Sequence, residues 1–157
     1  MKKEQKQEFT ARIVHANRSQ LILILYDMIF AYMEDAVKDY EEDRWEEVKI
    51  DLGRIENIVR HLEEILDHKY EISKELHALY QFCLTQLSFC RIRKNLEGME
   101  NCRKVLKNLY KGMQGMVKED TSGPLMHNSQ KVVAGMTYGK TSMNEIYMDD
   151  EKRGFFA

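Results

Sequence analysis

Residues 21–33 read LILILYDMIFAYM, a stretch in which Asp27 is the only charge. Folded as a helix, it points apolar side chains in nearly every direction, whereas a helix on the surface of a small bundle needs one apolar stripe. The reading predicts more apolar surface here than a compact four-helix domain of this size covers, with the excess face meeting a partner. The run is too short, and too interrupted by Asp27, to be a membrane span, which takes about 20 apolar residues. Glu4 and Glu8 also break up the basic start at Lys2, Lys3 and Lys6, so the segment does not read as a secretory leader. The expectation is a soluble, cytoplasmic chain without membrane insertion.

Working outward, Asn17 with Gln20 three residues on forms a capping-box variant that starts a helix running to about Tyr40. Glu41-Glu42-Asp43 reads as the turn, and Asp43 with Glu46 as a second capping box. Val48, Leu52, Ile55, Val59, Leu62 and Leu66 then recur at steps of four and three, a heptad seam that Asp67-His68-Lys69 ends. A third helix, about 71–93, places Ile72, Leu76, Leu79, Cys83, Leu87 and Cys90 on one side, and Tyr80, Phe82, Leu84 and Phe89 widen its apolar surface. Asn95 caps a fourth, with seam residues Met99, Cys102, Leu106, Leu109, Met113 and Met116. Short connections make sequential helices antiparallel. The fold class is therefore all-α: an antiparallel up-down bundle of four long helices over 17–118. An N-terminal segment, 1–16, precedes it.

Beyond residue 119 the character changes, because Thr121-Ser122-Gly123-Pro124 breaks the helix. Val132, Val133, Met136, Tyr138, Ile146, Tyr147, Met148, Phe155 and Phe156 nevertheless persist. So many anchors in the 119–157 extension predict packing on the bundle, on a partner or on the excess face.

Composition narrows the function. The chain has 157 residues, 43% hydrophobic and 32% charged, with a net charge of -2. That suits one domain with a real core and gives no bulk attraction to nucleic acid or anionic membrane. Cys83, Cys90 and Cys102 are odd in number and sit at apolar helical positions. Cys83 and Cys90 lie roughly 10 Å apart along a helix axis, too far to bridge, so all three read as reduced core residues.

Chemical motifs are few. Ala134 to Thr141 fits a relaxed phosphate-binding loop, but only Val132-Val133 precedes it as apolar sequence, without the buried strand that chemistry needs. His61, Glu64 and His68 share helical spacing on a charged face, and no Glu-x-x-His pair suggests a di-metal centre. Asp27 reads as a carboxylate that accepts hydrogen bonds at a helix crossing or rims a groove. Arg91-x-Arg93-Lys94 reads as the charge complement of a helix C-terminus. No catalytic, cofactor or metal site is expected. The ten methionines include Met28, Met33, Met99, Met113 and Met116; most fill the core, and the rest suit a groove that accepts amphipathic helices.

Three motifs carry a family resemblance. Asn17 to Asp27 resembles the start of the bundle in FliS-type flagellar export chaperones, where a cap is followed by Leu-x-Leu-x-Leu-Tyr-Asp. Ile58 to Asp67 resembles the end of that family's second helix. Glu75 to Phe82 is similar to its Asn-Leu-Tyr-Ala-Leu-Tyr element. Met28 and Arg18 stand where the family usually has Gly and Pro, and Phe9 is the aromatic nearest its N-terminal Tyr. The resemblance implies a cytosolic chaperone that holds the disordered C-terminal segment of flagellin, stops premature assembly and presents the subunit to export-gate components. On this reading the client lies in grooves lined by Ile22, Tyr26, Ile29, Met33, Leu76 and Tyr80. Phe9, Ile13 and Val14 form a lid, and the chain is a monomer or weak dimer. The competing readings are a bundle that buries its first long helix in a homodimer and a metal-binding bundle enzyme.

Overall fold

A computed structural model describes residues 1–126 as five helices joined by short connections. They are Lys3–His15 (α1), Arg18–Glu41 (α2), Trp45–Glu64 (α3), Ile72–Arg93 (α4) and Glu97–Glu119 (α5). The all-helical fold follows the heptad patterns, and the segment before residue 17 adds a short helix of its own. The anchors from Val132 onward and the loop-like motif at 134–141 lie outside the described residues.

The described residues divide into two compact units, 1–28 with 112–126, and Ile29–Lys111. The second unit holds the heptad seams. Val48, Leu52, Ile55, Val59 and Leu62 are fully buried on α3, as the steps of four and three require. Burying each such side chain contributes about 1.5–3 kcal/mol. α3 packs along α4, and at their margin Arg91 Nη2 reaches Glu56 Oε1 at 2.8 Å while Gln81 Nε2 donates to Glu63 Oε1 at 2.7 Å. Phe30 of α2 meets Tyr110 of α5 edge-on, with ring centroids 5.8 Å apart.

α4 and α5 approach closely at Gly98. A Cβ there would stand 2.1 Å from the Gln86 carbonyl oxygen and 3.2 Å from Cys90 Sγ. Beside it the Met99 N–H donates to Cys90 Sγ at 3.1 Å, and Asn101 Nδ2 to Gln86 Oε1 at 3.0 Å. All three cysteines are free and buried. The Cys90 thiol is pushed up by burial, and that of Cys102 by its hydrogen bond with Cys83 and by burial, so both stay protonated.

Four details depart from the sequence reading. Asp43 does not cap α3: it sits in the left-handed region at φ 58°, and Arg44 occupies the cap without a side-chain bond. The turn closes instead through Asp43 N–H to the Tyr40 carbonyl at 3.1 Å and Arg44 N–H to the Asp39 carbonyl at 2.8 Å. Aspartate tolerates that conformation, which turns its carboxylate away from the helix it was expected to cap. The Arg44 guanidinium bridges the Asp39 and Glu42 carboxylates. α3 ends at Glu64, short of Asp67. Ile72 is exposed, because the Ser73 hydroxyl donates to the Asp67 carbonyl and brings Ser73 inward in its place. At the far end of α5 the seam stops at Met113, and Met116 is exposed.

Two stability tests follow. Gly98→Ala should cost about 1–3 kcal/mol or more in urea unfolding, since backbone must shift. Gly112→Ala should be neutral or stabilise by up to ~1 kcal/mol, because its Cβ meets nothing within 4 Å. Burial pushes the Asp51 carboxyl up to about 6, against the pull of Arg54, whose Nη1 lies 3.2 Å away. The folded state therefore binds this proton more tightly than the unfolded one. Stability should fall by about 1–3 kcal/mol between pH 4 and 6, a slope that Asp51→Asn should remove.

Candidate functional site

α2 is the helix from which the functional reading began, and its first half lies in the first unit. Asn17 caps it as the capping box requires: Gln20 N–H donates to Asn17 Oδ1 and Asn17 N–H to Gln20 Oε1, each at 2.9 Å. The same asparagine holds the chain beyond α5, since its Nδ2 donates to the carbonyls of Asp120 at 3.4 Å and Ser122 at 3.2 Å. Ser19 Oγ donates to Asp120 Oδ2 at 2.7 Å, and Leu125 N–H to the Ala16 carbonyl at 2.9 Å. A continuous polar clasp thus joins the α1–α2 junction to residues 120–125.

α1 closes the other side of this unit. Phe9, Ile13 and Val14, the expected lid residues, are all buried. Arg12 Nη2 reaches Asp27 Oδ2 at 2.6 Å, so Asp27 accepts a hydrogen bond from a neighbouring helix. Arg12 also lies over the Phe9 ring, 5.5 Å from its centroid. Only Ala16 and Asn17 separate α1 from α2.

The expected excess face on α2 is absent from the closed chain. Leu21, Ile24, Leu25, Tyr26, Met28, Ile29, Tyr32 and Met33 are all buried. Of the expected client residues, Ile22 and Leu76 are half-buried, and Tyr26, Ile29, Met33 and Tyr80 are buried. Ile22 and Tyr26 belong to the first unit, and Ile29, Met33, Leu76 and Tyr80 to the second. On α2, residues 22, 26, 29 and 33 follow a single line at steps of four, three and four.

α4 carries exposed apolar side chains on the side away from its core line. Its core line runs through Ser73, Tyr80, Cys83, Leu87 and Cys90, while Phe82 and Ile92, on the far side, are 41% and 76% exposed. A signal for this was present in the sequence: residues 78–90 contain no charge, although only one face of a bundle helix needs to be apolar. The basic cluster at the end of α4 is split. Arg91 is tied to Glu56, Arg93 lies 4.6 Å over the Phe89 ring, and Lys94 forms the left-handed C-cap at φ 53°. Lys94 also lines a recess of about 350 Å³ with Tyr40, Asp43 and Trp45. His61 Nδ1 lies 3.7 Å from Glu64 Oε2 on α3, whereas His68 lies past the end of that helix, so the three do not share one helical face.

Asp120 sets the pH range of the clasp. Hydrogen bonds from Ser122 and Ser19 lower its carboxyl to about 2. Its contribution is therefore present above the ordinary carboxylate range and is lost as pH falls through about 2. Asp120→Ala should raise amide hydrogen exchange in α1 and the first turn of α2 at neutral pH, leaving α3 and α4 unchanged.

Comparison with known proteins agrees with this architecture. No curated protein matches the chain significantly. The model of the flagellar protein FliS family matches residues 1–120, which covers all five helices. That family is one of flagellar export chaperones rather than enzymes. With α1, the capped α2 and the seams of α3 to α5 all inside the matched span, the chain belongs to the FliS family.

Proposed function

We propose that the protein is a cytoplasmic export chaperone that holds the disordered C-terminal segment of flagellin until the subunit is handed to the export gate. The observation that carries this reading is the way the first half of α2 is covered. Its cover comes from α1, on a two-residue connection, and its capped end is clasped by the 120–125 segment. A cover built from one short helix on a two-residue connection can be withdrawn without dismantling the helices beneath it.

In this mechanism the client replaces α1. As Phe9, Ile13 and Val14 leave, an amphipathic client helix lays its own apolar side chains in their place. In the first unit, the buried Tyr26 serves as the floor of the binding groove and the half-buried Ile22 as its rim; in the second unit, Ile29, Met33, Leu76 and Tyr80 are proposed as client contacts in their own right. The Arg12–Asp27 pair is exchanged for a client cation at Asp27, which fixes the register. Coupled folding and binding of such a segment buries on the order of 1,000–3,000 Å² and spends about 2–5 kcal/mol on ordering. That cost keeps the complex selective while allowing release at the export machinery. The family assignment supports the chaperone role, and the apolar character of α2 supports a helical client.

The test is calorimetry with flagellin and with its C-terminal segment as a peptide. Flagellin should bind, and flagellin lacking that segment should not. Deleting residues 1–15 should tighten binding, about tenfold if the closed lid is favoured by ~1.4 kcal/mol. Equal affinity with and without α1 would remove its role as a lid, and equal binding by truncated flagellin would reject the proposed client segment.

A further inference from the structure

We infer that the recess between the α2–α3 and α4–α5 turns is the docking site of this chain's own C-terminal stretch, Asp149 to Phe156. The recess belongs to the second unit, holds about 350 Å³ and is lined by Tyr40, Asp43, Trp45 and Lys94. Tyr40 and Trp45 meet edge-on, with ring centroids 6.4 Å apart; Tyr40 is exposed and Trp45 half-buried. Asp43 and Lys94 bring a carboxylate and an ammonium to the same recess. Both are exposed, and among the described residues neither takes part in an ion pair. They are also the two non-glycine residues with positive φ among the described residues, at 58° and 53°. Glycine meets that conformation without steric cost, above all just past a helix, where Lys94 stands. The lysine gives up that local advantage and places a charge beside the aromatic pair.

The order of residues names the occupant. Outside the described residues the chain reads Asp149-Asp150-Glu151-Lys152-Arg153-Gly154-Phe155-Phe156, which is acids, then bases, then two aromatic rings. The recess offers a complement to each. Lys94 pairs with the acids. The α2–α3 turn pairs with the bases, since Glu41, Glu42, Asp43, Glu46 and Glu47 are all exposed there and outnumber Arg44 and Lys49. The Tyr40–Trp45 pair receives the rings, which favour offset and edge-to-face contacts. Reach is ample: the 26 residues that separate 126 from 152 span up to ~85 Å, against ~36 Å for the longest helix, α2. A tether presents its segment at an effective concentration on the order of 1 mM, so a site with a Kd of ~0.1 mM is filled roughly nine-tenths of the time. The inference does not rest on the client-binding reading, which concerns other residues.

Trp45 is the chain's single tryptophan, so acrylamide quenching of its fluorescence in the full chain reads the recess directly. Circular dichroism confirms that each variant is folded. Phe155→Ala with Phe156→Ala should weaken docking roughly tenfold per ring, which empties the recess and raises quenching. Lys152→Glu with Arg153→Glu should act in the same direction, by up to about fivefold per charge and more at low salt. A peptide of residues 145–157, added to the chain that lacks both rings, should restore the shielding with a Kd of ~0.1 mM. Lys94→Gly separates docking from folding: it should hold or raise the melting temperature, because glycine suits the left-handed turn, and yet raise quenching. Lys94→Glu should also raise quenching, and Asp149→Lys with Asp150→Lys in the same chain should lower it again. Quenching indifferent to Phe155→Ala with Phe156→Ala overturns the proposal. So does shielding that grows with protein concentration, which would put the tail of a second copy in the recess. A recess shielded only when flagellin is added overturns it as well, and assigns the site to a partner.

Discussion

The demand of α2 for cover governs this structure. A helix apolar on almost every side cannot satisfy itself with one packing partner, because each uncovered Leu, Ile or Tyr leaves about 1.5–3 kcal/mol of burial unrealised. From Leu21 to Ala36 the chain meets that demand with little exposed apolar area. In the first unit it does so with α1 and the segment after α5. α1 turns back at Ala16 to place Phe9, Ile13 and Val14 in the interior, and the segment after α5 returns to Asn17 and Ser19. The capping asparagine is where these requirements meet: one side chain starts α2 and holds the segment that follows α5.

This has a consequence for activity. A groove permanently filled by core side chains has no means of exchange, whereas one covered by a short helix on a two-residue tether does. The polar part of the cover consists of one ion pair between half-exposed side chains and a few hydrogen bonds, each contributing about a kcal/mol or less. Its apolar part is replaceable in kind by any amphipathic helix. The family assignment supports the chaperone role, and the helical client proposed above is of the same apolar, amphipathic kind as this cover.

α4 shows the opposite arrangement. It has a regular buried line and, across from it, a second apolar line that includes the exposed Phe82 and Ile92. The thirteen-residue absence of charge was legible in the sequence, yet its meaning was not. A run apolar on two faces says only that two things pack on the helix, and cannot say which of them belongs to the same chain. The recess formed by Tyr40, Asp43, Trp45 and Lys94 was likewise beyond the sequence, because it joins two turns more than forty residues apart.

The sequence by itself determined the helical class, the α3 seam and the Asn17–Gln20 cap, because heptad spacing and capping are local rules read within one or two turns. It also carried the family, through three short motifs in order. Local rules failed where tertiary contacts outweighed them. Asp43 became a left-handed turn residue, a hydrogen bond to Asp67 drew in Ser73 and left Ile72 outside, and α2 was sealed when its greasiness had suggested an open face. Which apolar side chains are covered is set by how distant segments close over one another, and only the folded chain fixes that.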